Sequence, residues 1–91
     1  MNKVIRMKIL GRVQGVCFRN FVWEKANKLN IKGYVKNLAD GSVEIIASGE
    51  EKSLDKLIKK CRQGSKLAEV ENIEKAEINK AENYSDFTIK Y

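Results

Sequence analysis

Hydrophobic and polar residues change their spacing several times along the chain, and each change predicts an element. Ile5-Arg6-Met7-Lys8-Ile9 alternates at period 2, which predicts a half-buried strand running to about Leu10 with Ile5, Met7 and Ile9 facing the core. Gly11 and Gly15 bracket a short turn. Phe18, Val22, Ala26 and Leu29 then recur at spacings of three and four, the stripe of a helix from about Arg19 to a stop at Asn30. A second strand follows over Ile31 to Asn37 and a third over Val43 to Ala47. The Asp40-Gly41 pair between them signals a hairpin, so these two strands should pair antiparallel. From Glu51, the positions Leu54, Leu57, Ile58 and Cys61 fall at i, i+3, i+4 and i+7 with lysines off that face, which predicts an amphipathic helix. Its acidic start, basic last turn and Gly64 just beyond suit the helix dipole and a glycine cap. Ala68 to about Asn79 reads as a strand if a bulge lies between Val70 and Ile73. Phe87 to Tyr91 alternates as a short final strand, reached through a polar turn over residues 82–86.

The order strand, helix, strand, strand, helix, strand, with a further short C-terminal strand, is the split βαβ pattern. The expected fold is an α+β, ferredoxin-like sandwich: βαββαβ plus one strand, with both helices on one face of an antiparallel sheet. A single domain over residues 1–91 is expected, with no internal repeat, linker or low-complexity tract. That fold hosts many unrelated functions and names none of them.

Composition narrows the chemistry. Of 91 residues none is His, which removes imidazole acids and bases, His-metal sites and every His-containing triad. Cys17 and Cys61 lie 44 positions apart and form no C-x-x-C pair; without His they cannot complete the usual four-ligand zinc site, so free thiols and no metal are expected. No run approaches the roughly 20 apolar residues of a membrane helix, and the first residues are charged before an apolar signal core builds; a cytoplasmic protein that needs no membrane is expected. Lys and Arg number 18 against 12 Asp and Glu, and the excess is local: residues 1–40 carry net +7 and residues 41–91 net −1. The basic half should attract anions, although for charge alone an ordinary solvated Lys-rich surface is a simpler explanation than a dedicated nucleic-acid patch.

The segment Gly11-Arg12-Val13-Gln14-Gly15-Val16-Cys17-Phe18-Arg19 joins a strand to a helix N-terminus, where backbone amides lack partners and the dipole end is positive. Its glycines let the backbone curl so that successive amides share a concavity, and the Arg19 guanidinium offers a planar fork matched to phosphate oxygens. The alternative is a tight connection with Arg19 in a surface ion pair. Neither G-x-x-x-x-G-K-[ST] nor G-x-G-x-x-G is present.

This segment resembles the signature of acylphosphatases, and Gly33 to Glu44 (GYVKNLADGSVE) resembles their second signature. Residues 64–70 and the ending Phe87-Thr88-Ile89-Lys90-Tyr91 also resemble later family segments, so the likeness covers essentially the whole chain. The resemblance implies a small hydrolase of the carboxyl-phosphate bond, with a ferredoxin-like fold and no metal or cofactor. Phosphate would be held by the loop Arg12, Val13, Gln14, Gly15, Val16, Cys17, Phe18 and Arg19, and water would be positioned by Asn37. An acyl phosphate has a good leaving group, so positioning and charge stabilisation suffice and no strong base is needed. A neutral Asn avoids repelling the dianion, and with no His a phosphate oxygen should take the water's proton. Asn37 reaches the loop if its strand lies beside the strand and helix that carry residues 11–19. The implied partners are a small acyl phosphate and inorganic phosphate or sulfate, and a monomer is expected. Family members often carry Gly-Pro after the third strand and before the fourth; this chain has Ser48-Gly49-Glu50-Glu51 and Gly64-Ser65-Lys66 there, and Leu38 stands where some members have a hydroxyl.

Three smaller signals carry expectations. Cys17 and Cys61 should pack as small apolar groups. Glu44, Glu50 and Glu51 are scattered and should be solvated strand and helix-start residues rather than a paired-carboxylate or hard-metal site. Trp23 and Tyr34 could stack bases, and Lys32-Gly33-Tyr34-Val35 resembles the start of an RNA-recognition strand; the continuation Lys36-Asn37-Leu38 does not, which leaves nucleic-acid binding as a second reading carried by net charge.

Overall fold

A computed structural model describes residues 2–79 and 84–91. The elements in chain order are β1 (Asn2–Arg12), α1 (Phe18–Lys28), β2 (Lys32–Asn37), β3 (Val43–Glu50), α2 (Glu51–Gln63), β4 (Glu69–Glu77) and β5 (Phe87–Lys90). The five strands form one sheet in the order β4-β1-β3-β2-β5. Both helices bury their apolar stripes against it: Phe18, Val22 and Ala26 from α1, and Leu54, Leu57 and Cys61 from α2. They meet Ile5, Met7, Ile9, Val35, Val43, Ile45 and Ala47 on the facing strands. The ferredoxin-like expectation therefore holds.

Several local signals act as their chemistry requires. Asn30 takes the left-handed conformation (φ 57°) after α1. The Asn30 N–H donates to the Asn27 carbonyl and the Ile31 N–H to the Ala26 carbonyl, so α1 ends in a Schellman cap. Gly64 closes α2 with φ 73°. In the β1–β4 ladder Leu10 pairs with Asn72 and Gly11 with Val70, so Glu71 is the extra residue of a bulge between Val70 and Ile73. The Asp40-Gly41 turn joins antiparallel β2 and β3.

Other expectations are corrected. The sheet is mixed, because β5 runs parallel to β2 at the edge opposite β4. Alternation in a strand specifies its faces but not its neighbour or direction. β1 continues through Gly11 to Arg12, so the turn begins at Val13; α1 spans Phe18–Lys28 rather than 19–30. Residues 82 and 83 of the expected polar turn lie outside the described residues. β2 does not lie beside β1, since β3 separates them.

Glu44 is not solvated. It is only 8% exposed, accepts from Arg6 Nε (2.8 Å) and from the Tyr34 hydroxyl (2.8 Å), and lies 3.8 Å from Lys36 Nζ. Burial works against its charge, but the Arg6 and Tyr34 hydrogen bonds outweigh it and hold the carboxyl below the ordinary range. Tyr34, pushed up to about 12 by burial and by its bond to Glu44, is itself buried, with Lys90 Nζ 4.1 Å from its ring centroid. Its ring is therefore covered rather than free to stack a base.

Candidate active site

Three strands that run in the same sense, β1, β2 and β5, end together, and the N-terminus of α1 starts at that end. A cleft of about 450 Å³ opens there, within the range of small-molecule sites. Val13, Gly15, Cys17, Phe18, Arg19 and Asn20 line one side; Asn37, Ile89 and Tyr91 line the other. The two residues singled out for chemistry, Arg19 and Asn37, are thus brought together although 18 positions separate them. Arg12 ends β1 opposite Glu69, and Val16 is buried; neither lines the cleft. Gln14 points its side chain away, toward the β2–β3 turn.

The loop over residues 13–17 alternates in backbone sign. Gly15 (φ 73°) and Cys17 (φ 61°) are left-handed, whereas Gln14 and Val16 are not, the alternation that curls a backbone into an anion-holding nest. A Cβ at Gly15 would meet nothing within 4 Å, so glycine is needed there for its φ alone. Cys17 is the N-cap of α1 and is exposed, which corrects its expected packing; left-handed φ turns its side chain out of the core. Cys61 is buried as expected, and burial pushes its thiol up to about 12.

The start of α1 has an unusual charge arrangement. No side chain caps it, its first turn holds no acidic residue, and Arg19 stands at the positive end of the dipole. A cation there is repelled by about 0.3–1 kcal/mol unless an anion sits beside it. Arg19 is steadied from the C-terminus: Nη1 donates to the Lys90 carbonyl at 3.0 Å, and the guanidinium lies 4.6 Å from the Tyr91 ring centroid. The remaining guanidinium donors are left for other partners. Sequence reasoning missed both C-terminal contacts, because only the parallel placement of β5 brings residues 90 and 91 to Arg19.

Asn37 is the last residue of β2 and shares a register row with Val43 and Ile9, so its side chain points to the helix-covered face. It reaches the cleft beneath α1, which packs over β2. Its Oδ1 is buried and accepts no hydrogen bond from any described residue. Such an acceptor costs about 1–3 kcal/mol until a donor fills it. Among the described residues no three His, Cys, Asp or Glu side chains gather at one place, and no helix is long and apolar enough to cross a membrane.

The acylphosphatase family model matches residues 5–89. The acylphosphatase of Caldanaerobacter subterraneus subsp. tengcongensis is 43% identical over 98% of this chain and 99% of its own. That of Archaeoglobus fulgidus is 48% identical over 96% and 97%. The crystal structure of acylphosphatase from Bacillus subtilis superposes with a TM-score of 0.94 at 40% identity, covering 100% of both chains. Sequence and fold agree along nearly the whole length, and the chain belongs to the acylphosphatase family of enzymes.

Proposed function

We propose that this protein hydrolyses acyl phosphates to a carboxylate and inorganic phosphate, with Arg19 and the loop amides holding the phosphoryl group and Asn37 orienting the attacking water. The observation that carries this reading is the buried, unpartnered Oδ1 of Asn37 in the same cleft as Arg19 and the uncapped start of α1. An anion at that start answers the exposed amides, the dipole and Arg19 together. A water donating to Oδ1 then has its lone pair aimed at phosphorus.

Attack forms one P–O bond and breaks the bond to the acyl oxygen, which leaves as carboxylate. The water's proton passes to a phosphoryl oxygen, so the products are RCOO⁻ and H₂PO₄⁻ and no side chain changes protonation. As the phosphoryl group transfers, charge on its equatorial oxygens meets fixed donors, and their preorganisation supplies the rate. The reaction needs neither metal nor cofactor. The same reading makes inorganic phosphate or sulfate a ligand of the site and places a monomer in the cytoplasm.

Benzoyl phosphate hydrolysis in the presence of chelator tests the assignment. Arg19→Ala should lower kcat/KM by about 10²–10³ and weaken inhibition by inorganic phosphate. Arg19→Lys should not restore turnover, because a point charge lacks the fork. Asn37→Ala should lower kcat by about 10²–10³, leaving a measurable residual rate, while phosphate affinity stays nearly intact. Equal loss of phosphate affinity in the Arg19 and Asn37 variants would contradict the division of roles.

A further inference from the structure

The anion loop and Asn37 belong to different parts of the chain, and the sheet does not join them directly. β3 stands between β1 and β2, so no ladder bond links the strand that carries the loop to the strand that carries Asn37. Gln14 spans the gap from the loop itself, as Lys8 does from β1 through its ion pair with Asp40 (2.8 Å). Gln14 Nε2 donates to the Leu38 carbonyl at 2.7 Å and to the Ser42 carbonyl at 2.9 Å. Those two carbonyls frame the neck of the β2–β3 turn, where the Leu38 N–H donates to the Ser42 carbonyl (2.8 Å) and the Gly41 N–H to the Leu38 carbonyl (3.2 Å). Among the described residues these are the only hydrogen bonds between residues 13–17 and the segment that follows Asn37.

We propose that Gln14 is a positioning residue: its side-chain amide clamps the phosphate-binding loop to the turn after Asn37 and so sets where the bound water stands relative to the phosphoryl group. The inference rests on the hydrolase reading above. A side-chain amide is suited to the task because both of its N–H groups can be used, one on each carbonyl. A carboxylate of the same shape would present acceptors to acceptors, and an apolar side chain would leave the turn to move. Ser65 tethers the loop elsewhere, its Oγ donating to the Val16 carbonyl at 3.0 Å from the connection between α2 and β4. That tether does not touch the Asn37 segment, which makes Ser65→Ala a comparison for loss of loop anchoring alone.

Displacing a reacting group by about 1 Å can cost on the order of 10²-fold in rate. In folded Gln14→Met, kcat for benzoyl phosphate should therefore fall roughly 10- to 100-fold while the inhibition constant of inorganic phosphate stays within about threefold. Gln14→Glu should be no better, whereas Ser65→Ala should keep kcat within about threefold. Gln14→Met added to Asn37→Ala should lower residual turnover no further, since Gln14 acts through Asn37. Wild-type kcat in folded Gln14→Met would overturn the proposal, as would a parallel loss of kcat and phosphate affinity or an additive double variant. Should Gln14→Met fail to fold, the Gln14 side-chain amide protons of the wild-type protein still decide: two distinct, slowly exchanging NMR resonances are expected, and free exchange with water would overturn the clamp. No benzoyl phosphate hydrolysis by the folded wild-type protein would instead refute the hydrolase reading, and full activity in Arg19→Ala and Asn37→Ala would refute its assignment of roles, both independently of Gln14.

Discussion

Cys17 holds a left-handed backbone that costs a non-glycine residue about 1–2 kcal/mol through its Cβ. It stands at the mouth of the cleft, where strain held by surrounding structure commonly serves ligand geometry. Cys17→Gly removes the clash but frees the unfolded chain, so it should leave stability unchanged or raise it by up to about 1 kcal/mol. Cys17→Val adds a β-branch at positive φ and should destabilise by more than about 1 kcal/mol. Urea denaturation under reducing conditions measures both, and a Val variant as stable as the Gly variant would show that the loop does not hold this conformation. Glu44 makes the complementary point. Its neighbours in sequence suggest a solvated strand residue, but its partners Arg6 and Tyr34 come from two other strands.

At the scale of elements, the local signals that worked are those whose physics is local. A Schellman cap needs a residue tolerant of left-handed φ, which Asn30 is, and a hairpin turn needs Asp-Gly. The bulge at Glu71 was legible because Val70 and Ile73 must both face inward, which strict alternation forbids. Gly33 lies in β2 at φ 138°, and a Cβ there would collide with the Ile46 carbonyl of β3. Gly33→Ala must push β2 from β3 and should destabilise by well over about 1 kcal/mol. It should also disturb Asn37, four residues on in the same strand. A fall in both urea midpoint and turnover is expected; an unchanged midpoint would mean that the two strands are less closely apposed.

At the scale of the whole molecule, groups whose pKa values differ from those of the unfolded chain shape stability against pH. Hydrogen bonds from Lys8 and Ser42 hold Asp40 well below the usual carboxylate range, and Glu44 is also lowered. On acidification the unfolded chain binds protons first, so their stabilisation is present above about pH 4.3 and is lost as pH falls through the folded pKa values. On the alkaline side the raised groups reverse the order. The unfolded chain releases the Cys61 proton from about pH 9 and the Tyr34 proton from about pH 10, whereas the folded protein keeps both until about 12. Stability should therefore decline from about pH 9 and more steeply above about 10, and Tyr34→Phe should lessen the second part of that decline, to which Lys8, raised by its hydrogen bond to Asp40, also contributes. Unfolding free energies measured across pH check this, and a wild-type value flat to pH 11 would contradict it. The sheet edges bear on association: β4 presents glutamates along nearly its whole length, and β5 has only four residues. Charged and short edges resist strand pairing, so sedimentation should show a monomer at high micromolar concentration, and a concentration-dependent dimer would refute this.

The sequence by itself determined the order and approximate extent of the elements, most of the faces they bury, and where α1, α2 and the β2–β3 hairpin turn, and it singled out Arg19, Asn37 and the loop over residues 12–19 for the site. Those properties follow from periodicity, from the backbone preferences of Gly and Asn, and from two recognisable signatures. Tertiary structure alone decided that β3 separates β1 from β2, that β5 runs parallel to β2 at the far edge, that Lys90 and Tyr91 steady Arg19, and that Gln14 bridges the loop to the turn after Asn37. The physical reason is the same in each case: alternation assigns a side chain to a face, whereas strand neighbours, strand direction and contacts between distant segments depend on which arrangement of the entire chain buries all the faces at once.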